Sequence, residues 1–299
     1  MSNPEFVCFS RLGQLGRLGN QLFQIAATQA LAHRNGVAAK FPQWEFAKSF
    51  ENPIDQSLTI SDIKSEYIEP SAHYAPIPYT PDVDLFGFFQ CEKYFADCEA
   101  VIRQTLKFKS DLLPPQWRTV EADCSVHVRR SDYLSEGHRF VSLGADYYAR
   151  AIKKMRAKTG SEDFLVFTDD ADWCRKNLPA DVKIAEGLDG VQTLNLMSRC
   201  KNHIIANSTF SWWGSWLGQH PGKVIFAPQN WYGLQVSFRK NTNYQFCENW
   251  TMLSNSINLP AQLISLFNSK KKHLVLLPRF SSREEFLQAE LEDHKRFVE

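Results

Sequence analysis

The chain has no CxxC pair, no apolar run long enough to cross a bilayer and almost no net charge, and each absence removes a class of protein. Its seven cysteines (Cys8, Cys91, Cys98, Cys124, Cys174, Cys200 and Cys247) are scattered, odd in number and without ligand spacing. That argues against a zinc site or a disulfide framework and fits a reducing cytoplasm. No stretch approaches the roughly 20 apolar residues that a membrane-spanning helix needs. The opening residues, MSNPEFVCFSRLG, carry neither a basic start nor a signal-length apolar run, so a cytoplasmic protein is expected. A net charge of +1 leaves no basic surplus to neutralise a phosphate backbone, and a nucleic-acid partner is not expected. What is present is core material: 43% hydrophobic residues over 299 positions suffices for two domains.

From Asp123 onward, short apolar runs alternate with longer helical patterns. Strands are expected at 124–129, 163–167, 182–185, 203–206 and 223–227, and helices at 145–159, 171–178, 190–200 and 209–218. This alternation means βαβ units and a mostly parallel sheet. The first third has a looser rhythm. A strand at 5–10 leads through Gly13, Gly16 and Gly19 into a helix at 20–35, followed by a strand at 37–41. A further strand at 84–89 precedes a helix at 92–107, while the Pro-, Ser- and Tyr-rich residues 50–82 read as loops. Pro114-Pro115 is the candidate linker. The expected division is an α/β domain over 1–118, a second over 119–258 and a helical extension over 259–299. Basic residues at 270–273 lead into an amphipathic helix at 281–298, with Ser282 and Glu285 spaced as a capping box. Such a helix packs back on the body or lies on a membrane surface or partner.

Four stretches carry chemistry. His127-Val-Arg-Arg-Ser-Asp-Tyr133 starts as a strand and delivers two arginines where the strand should end. Strand ends in α/β proteins open into ligand crevices, and a planar fork of donors suits phosphate oxygens. The plain alternative is a solvated loop with Asp132 as ion-pair partner, and for His127 a structural strand histidine. Gly16-Arg-Leu-Gly19-Asn20-Gln21 places glycines before a helix start, where free N–H groups attract an anion; a tight turn explains it equally well. Thr168-Asp169-Asp170 ends another strand. Its carboxylates can hold a ribose or a base edge, accept a proton or cap the next helix. Asp170-Ala-Asp172 imitates a metal-binding DxD, but Asp172 falls inside the expected helix, so no metal is expected. Finally, Asn207-Ser208-Thr209-Phe210-Ser211 precedes a tryptophan-rich helix and forms a candidate phosphate cradle, its tryptophans packing the helix on the sheet rather than stacking on a base. Together these describe a nucleotide-sugar or mononucleotide site in an α/β domain, with a second domain facing it.

Taken together and in order, GRLGNQLFQ, HVRRSDY, FTDD and NSTFSWWGSWLG resemble the α-1,2-fucosyltransferase family, with Asp146-Tyr147-Tyr148 and Ala151-Ile152 resembling the segment after the arginine motif. The resemblance runs from about residue 5 to 232; Ser131 stands where the family pattern usually has glycine. It implies a GT-B-like architecture, two Rossmann-like domains facing across a cleft, with GDP-β-L-fucose on the C-terminal domain and the acceptor glycan chiefly on the N-terminal one. It implies transfer to the 2-hydroxyl of a terminal galactose with inversion and without a metal. In that scheme Arg129 grips the β-phosphate, Arg130 assists or fixes the loop, and Gly19, Asn20 and Gln21 reach the pyrophosphate across the cleft. Ser208 to Ser211 meet it from the helix start and Asp169 sits near the nucleoside. Asp132 and His127 are the candidates for removing the acceptor's proton. A different linkage or acceptor, and a glycan-binding protein without turnover, remain alternatives. Peripheral membrane contact through the extension is the remaining partner expectation.

Overall fold

The computed structural model describes residues 5–70, 74–135, 137, 140–233 and 245–255. The basic run at 270–273 and the helix expected at 281–298 lie outside the described residues.

Two parallel sheets organise the chain. In the N-terminal half, β1 (Phe6–Cys8), β2 (Ala38–Lys40), β3 (Ser65–Ile68) and β4 (Val83–Phe86) lie in the order β2-β1-β4-β3, every pairing parallel. Helices α1 (Leu18–Arg34) and α2 (Glu99–Thr105) accompany them. In the C-terminal half the strands are β5 (Cys124–Val128), β6 (Phe164–Thr168), β7 (Lys183–Ile184), β8 (Asn202–Ile204), β9 (Ile225–Pro228) and β10 (Thr251–Leu253). They form one parallel sheet in the order β10-β9-β8-β5-β6-β7. Its helices are α3 (Ser131–Ser135), α4 (Ala145–Thr159), α5 (Ala171–Asn177), α6 (Gly190–Arg199) and α7 (Thr209–Leu217). Two Rossmann-like α/β units, as a GT-B-like chain requires, are therefore present.

The strand order positions the site. The chain runs from β5 outward to β6 and β7, then returns to lay β8, β9 and β10 on the other side. Winding reverses between β5 and β8, and the C-terminal ends of those strands open the crevice that α/β sheets use for ligands.

Three local expectations need correction. Residues 50–82 are not all loop, because Ser65–Ile68 pairs in parallel with Val83–Phe86 as an edge strand. Only four residues long and half-buried, β3 offers little period-two signal between its prolines. The helix expected at 92–107 is broken into two 3-10 turns followed by α2, because Phe95 leaves helical geometry at φ −145°. Its ring instead enters the core and stacks on Trp213, with centroids 5.5 Å apart. Strand β10 was not expected; its three residues carry no alternation to read.

The largest buried cluster crosses from one half to the other. Phe23 of α1 meets Trp212 and Trp213 of α7 at 4.6 and 4.9 Å between ring centroids, and Phe95 packs on Trp216 at 5.5 Å. The tryptophans thus pack α7 as expected, but against the N-terminal half as well as their own sheet. Each aromatic pair contributes about 0.5–1.5 kcal/mol beyond its buried area.

Candidate active site

Because β5 ends at Val128, Arg129 and Arg130 emerge at the mouth of the crevice. Both guanidiniums are paired with carboxylates. Arg129 Nη2 lies 2.7 Å from Asp132 Oδ1 and Nη1 lies 2.7 Å from Asp169 Oδ2, while Arg130 Nε donates to Asp170 Oδ2 at 3.1 Å. The Arg130 main-chain N–H also donates to Asp169 Oδ1 at 2.9 Å, and its guanidinium lies 4.0 Å over the Trp173 ring. Arg17, which precedes α1 in the other half, reaches Asp132 Oδ2 at 3.4 Å. Asp132 is therefore shared between a cation from each half.

Burial alone would pull the Arg129 guanidinium down, but the hydrogen bond to Asp132 and the charge of Asp169 outweigh it and hold its pKa above the ordinary value. Three guanidiniums (Arg17, Arg129, Arg130) face three carboxylates (Asp132, Asp169, Asp170). The cluster is electroneutral without ligand, so an incoming phosphate must take a carboxylate's place on Arg129 rather than meet an idle cation.

The remaining expected residues fall into three groups. Thr209 Oγ1 donates to Asn20 Oδ1 at 2.9 Å, and Gln90 Nε2 donates to the same oxygen at 2.9 Å. Asn20 thus stands at the junction, with its amide orientation fixed by two donors. Gly19 is there too: a Cβ on it would lie 2.6 Å from the Phe210 nitrogen and 2.7 Å from the Thr209 carbonyl carbon. Only glycine lets the starts of α1 and α7 approach this closely.

A second group is occupied by structural tasks. Gln21 is buried, donating from Nε2 to the Gly16 carbonyl at 2.9 Å and accepting from Trp44 Nε1 at 2.7 Å. Ser208 Oγ caps α7 by accepting from the Phe210 N–H, while Ser211 Oγ turns back to the Ala206 and Ser208 carbonyls. Asn207 Nδ2 donates to the Val141 and Trp231 carbonyls at 2.9 and 2.6 Å. Phe210 packs its ring near His127, 5.6 Å between centroids. These side chains shape the turn before α7, and what the helix start offers an anion is main-chain N–H.

His127 forms the third group. It is buried on β5, and burial, followed by the charge of Arg129, pushes its pKa down to about 3. An imidazole that refuses a proton at neutral pH is a poor acceptor for one, so its candidacy as base is corrected. Asp170 is the capping aspartate, accepting from the Trp173 N–H at 3.1 Å. Asp172 is exposed and pairs with Arg175, so the two carboxylates of the DxD-like run do not converge. Among the described residues no His, Cys, Asp and Glu group has the arrangement of a metal site.

Beside the arginines, a recess of about 290 Å³ opens at the ends of β6 and β7, lined by Phe167, Thr168, Asp169, Ile184, Glu186 and Leu188. Asp169 belongs to both the recess and the Arg129 pair, so a nucleoside in the recess would place its phosphates at Arg129. Sequence reasoning passed over Arg17, Tyr133 and this recess. Arg17 lay within a stretch already read as an anion-binding helix start, which was signal enough. Tyr133, whose hydroxyl donates to the Asn207 carbonyl at 2.8 Å, ties α3 to the turn before α7 and left no pattern to find.

Residues 75–254 match glycosyl transferase family 11, and the chain belongs to that family. Among curated relatives, an Escherichia coli alpha-1,2-colitosyltransferase is 34% identical over 163 residues, covering 50% of this chain and 56% of the relative. The Escherichia coli O-antigen biosynthesis glycosyltransferase WbnK is 36% identical over 116 residues, 36% of this chain and 38% of that one. The Mus musculus galactoside 2-alpha-L-fucosyltransferase Sec1 is 35% identical over 234 residues, 68% of this chain and 62% of that one. The matched part thus spans about half the length of the first two relatives or less. Among solved structures, the fucosyltransferase NodZ from Bradyrhizobium aligns with a TM-score of 0.48 at 16% identity, over 71% of this chain and 92% of that one.

Proposed function

We propose that this chain is a galactoside α-1,2-fucosyltransferase. It moves L-fucose from GDP-β-L-fucose to the 2-hydroxyl of a terminal galactose with inversion, without a metal, in the cytoplasmic synthesis of a bacterial surface glycan. The observation that carries this is the Arg129–Arg130 pair at the switch point, joined through Asp169 to a recess of nucleoside size. The relatives' names add the linkage: α-1,2 or galactoside 2-α transfer recurs among them.

In this scheme the nucleoside occupies the recess and the diphosphate takes Arg129 from its carboxylates. The galactose 2-oxygen attacks the fucose anomeric carbon from the face opposite the phosphate, and the carbon–oxygen bond to the β-phosphate breaks. The bonding pair passes to the phosphate oxygen, whose growing charge Arg129 meets with a forked, charge-assisted contact that strengthens in the transition state. The proton of the 2-hydroxyl goes to Asp132, the carboxylate shared between the halves; Arg130 fixes the loop and Asn20 with Thr209 supports the diphosphate from the junction. Released from Arg129 by the diphosphate, Asp132 keeps Arg17 as its partner. Domain 1–118 would carry the acceptor, domain 119–258 the donor, and the extension from 259 any contact with the membrane surface.

One relative's name favours a second donor, a nucleotide-linked colitose. Incubation with lactose and either GDP-fucose or GDP-colitose, with chelator present, separates these. An α-1,2-fucosyl product is expected, and its absence alongside efficient colitose transfer would change the donor sugar. Transfer to a lactose blocked at the galactose 2-hydroxyl would contradict the linkage.

A further inference from the structure

The recess has a chemistry that no part of the donor assignment above uses. Its walls are flat and apolar, made by Phe167, Ile184, Ala185 and Leu188, and its polar edge carries the Glu186 carboxylate. Glu186 sits two residues beyond the end of β7, just before Gly187, whose φ of +75° makes the sharp turn that bounds the recess. Arg175 of α5 pairs with Glu186 Oε1 and also holds Asp172, which fixes the carboxylate from the solvent side. An ionised carboxylate accepts hydrogen bonds and donates none. Among the nucleobases, guanine presents two adjacent donors on one edge, its N1–H and its exocyclic amine, spaced for the two oxygens of a carboxylate. Hypoxanthine keeps the N1–H and lacks the amine, and adenine presents a bare N1 lone pair to the same oxygens.

We propose that Glu186 is the specificity-determining residue for the base and selects guanine through a bidentate contact at the end of β7. This rests on the nucleotide-sugar assignment above and adds to it the residue that sets the base. A matched two-bond contact of this kind discriminates by roughly tenfold or more, and a site built to accept those donors rejects an analogue that lacks one.

Titration calorimetry of the full chain with GDP, IDP and ADP tests it. The wild-type chain is expected to bind GDP about tenfold tighter than IDP, and IDP tighter than ADP. In Glu186→Gln, which replaces one acceptor by a donor, the GDP-to-IDP ratio should shrink to within about threefold, and Glu186→Ala should do the same. Circular dichroism confirms the fold of each variant. If both variants keep the wild-type ratio, or if the wild-type chain binds GDP and IDP equally, Glu186 does not read the base, while the donor assignment stands. If the wild-type chain binds none of the three, the nucleotide-sugar assignment fails with it.

Discussion

His127 and His203 show how single buried residues set the pH behaviour of the chain. Both lie in the central strands of the C-terminal sheet, and burial, aided by the charges of Arg129 and Lys223 respectively, lowers each pKa to about 3. His203 also exchanges a hydrogen bond with Ser125 Oγ at 2.7 Å, which a neutral ring satisfies. Once unfolded, both rings return to about 6.5 and take up protons below that pH, while the folded chain does not. The unfolded state then binds more protons, so stability is fully present above about pH 6.5 and is lost as pH falls towards 3. Each ring contributes a slope of about 1.4 kcal/mol per pH unit inside that window. Thermal melts between pH 7 and 4 should show His203→Gln with a shallower acid loss than wild type, and an unchanged slope would contradict the assignment. At the same scale, Asp132 is the residue on which both halves meet, since Arg17 and Arg129 hold its two oxygens.

The starts of α1 and α7 are the elements that build the junction. A Cβ at Gly19 would lie within 2.7 Å of the main chain at Thr209 and Phe210, and backbone cannot step aside as a flexible side chain can. Gly19→Ala should therefore destabilise the fold by about 1–3 kcal/mol and lower transfer by separating Asn20 from Thr209. Denaturant unfolding with a parallel activity assay checks both, and a silent substitution would mean the helices do not need this approach. Element by element, the C-terminal sheet was legible because its strands are apolar runs separated by amphipathic helices; α4, expected at 145–159, spans those residues. The edge strands β3 and β10, three or four residues long, carry too little periodicity to be read. The phosphate cradle was read at the right turn, but whether Asn207, Ser208 and Ser211 face a ligand or their own backbone depends on tertiary partners such as the Val141 and Trp231 carbonyls. Gln21 went the same way, since nothing local announces that Trp44 will bind it.

For the whole molecule, the division at about residue 118 separates the sheets but not the core. The aromatic cluster of Phe23, Phe95, Trp212, Trp213 and Trp216 belongs to both halves, and Arg103 of α2 donates to the Trp216 and Leu217 carbonyls at 2.8 and 3.1 Å, adding a polar tie. Halves that share a core should unfold together, so calorimetry is expected to show one cooperative transition with equal calorimetric and van't Hoff enthalpies; two resolved transitions would mean the shared cluster is weaker than its packing implies. The junction so fixed holds Arg129 between Asp132 and Asp169, ready to exchange a carboxylate for a phosphate. The most direct measurement is kcat for fucose transfer by Arg129→Lys, set beside its Kd for GDP. Lysine keeps the charge and loses the fork, so kcat should fall by about 100- to 1,000-fold, with a smaller change in Kd and an unaltered melting temperature. Near-normal turnover in that variant would contradict the account, because the leaving phosphate would then be stabilised somewhere other than Arg129.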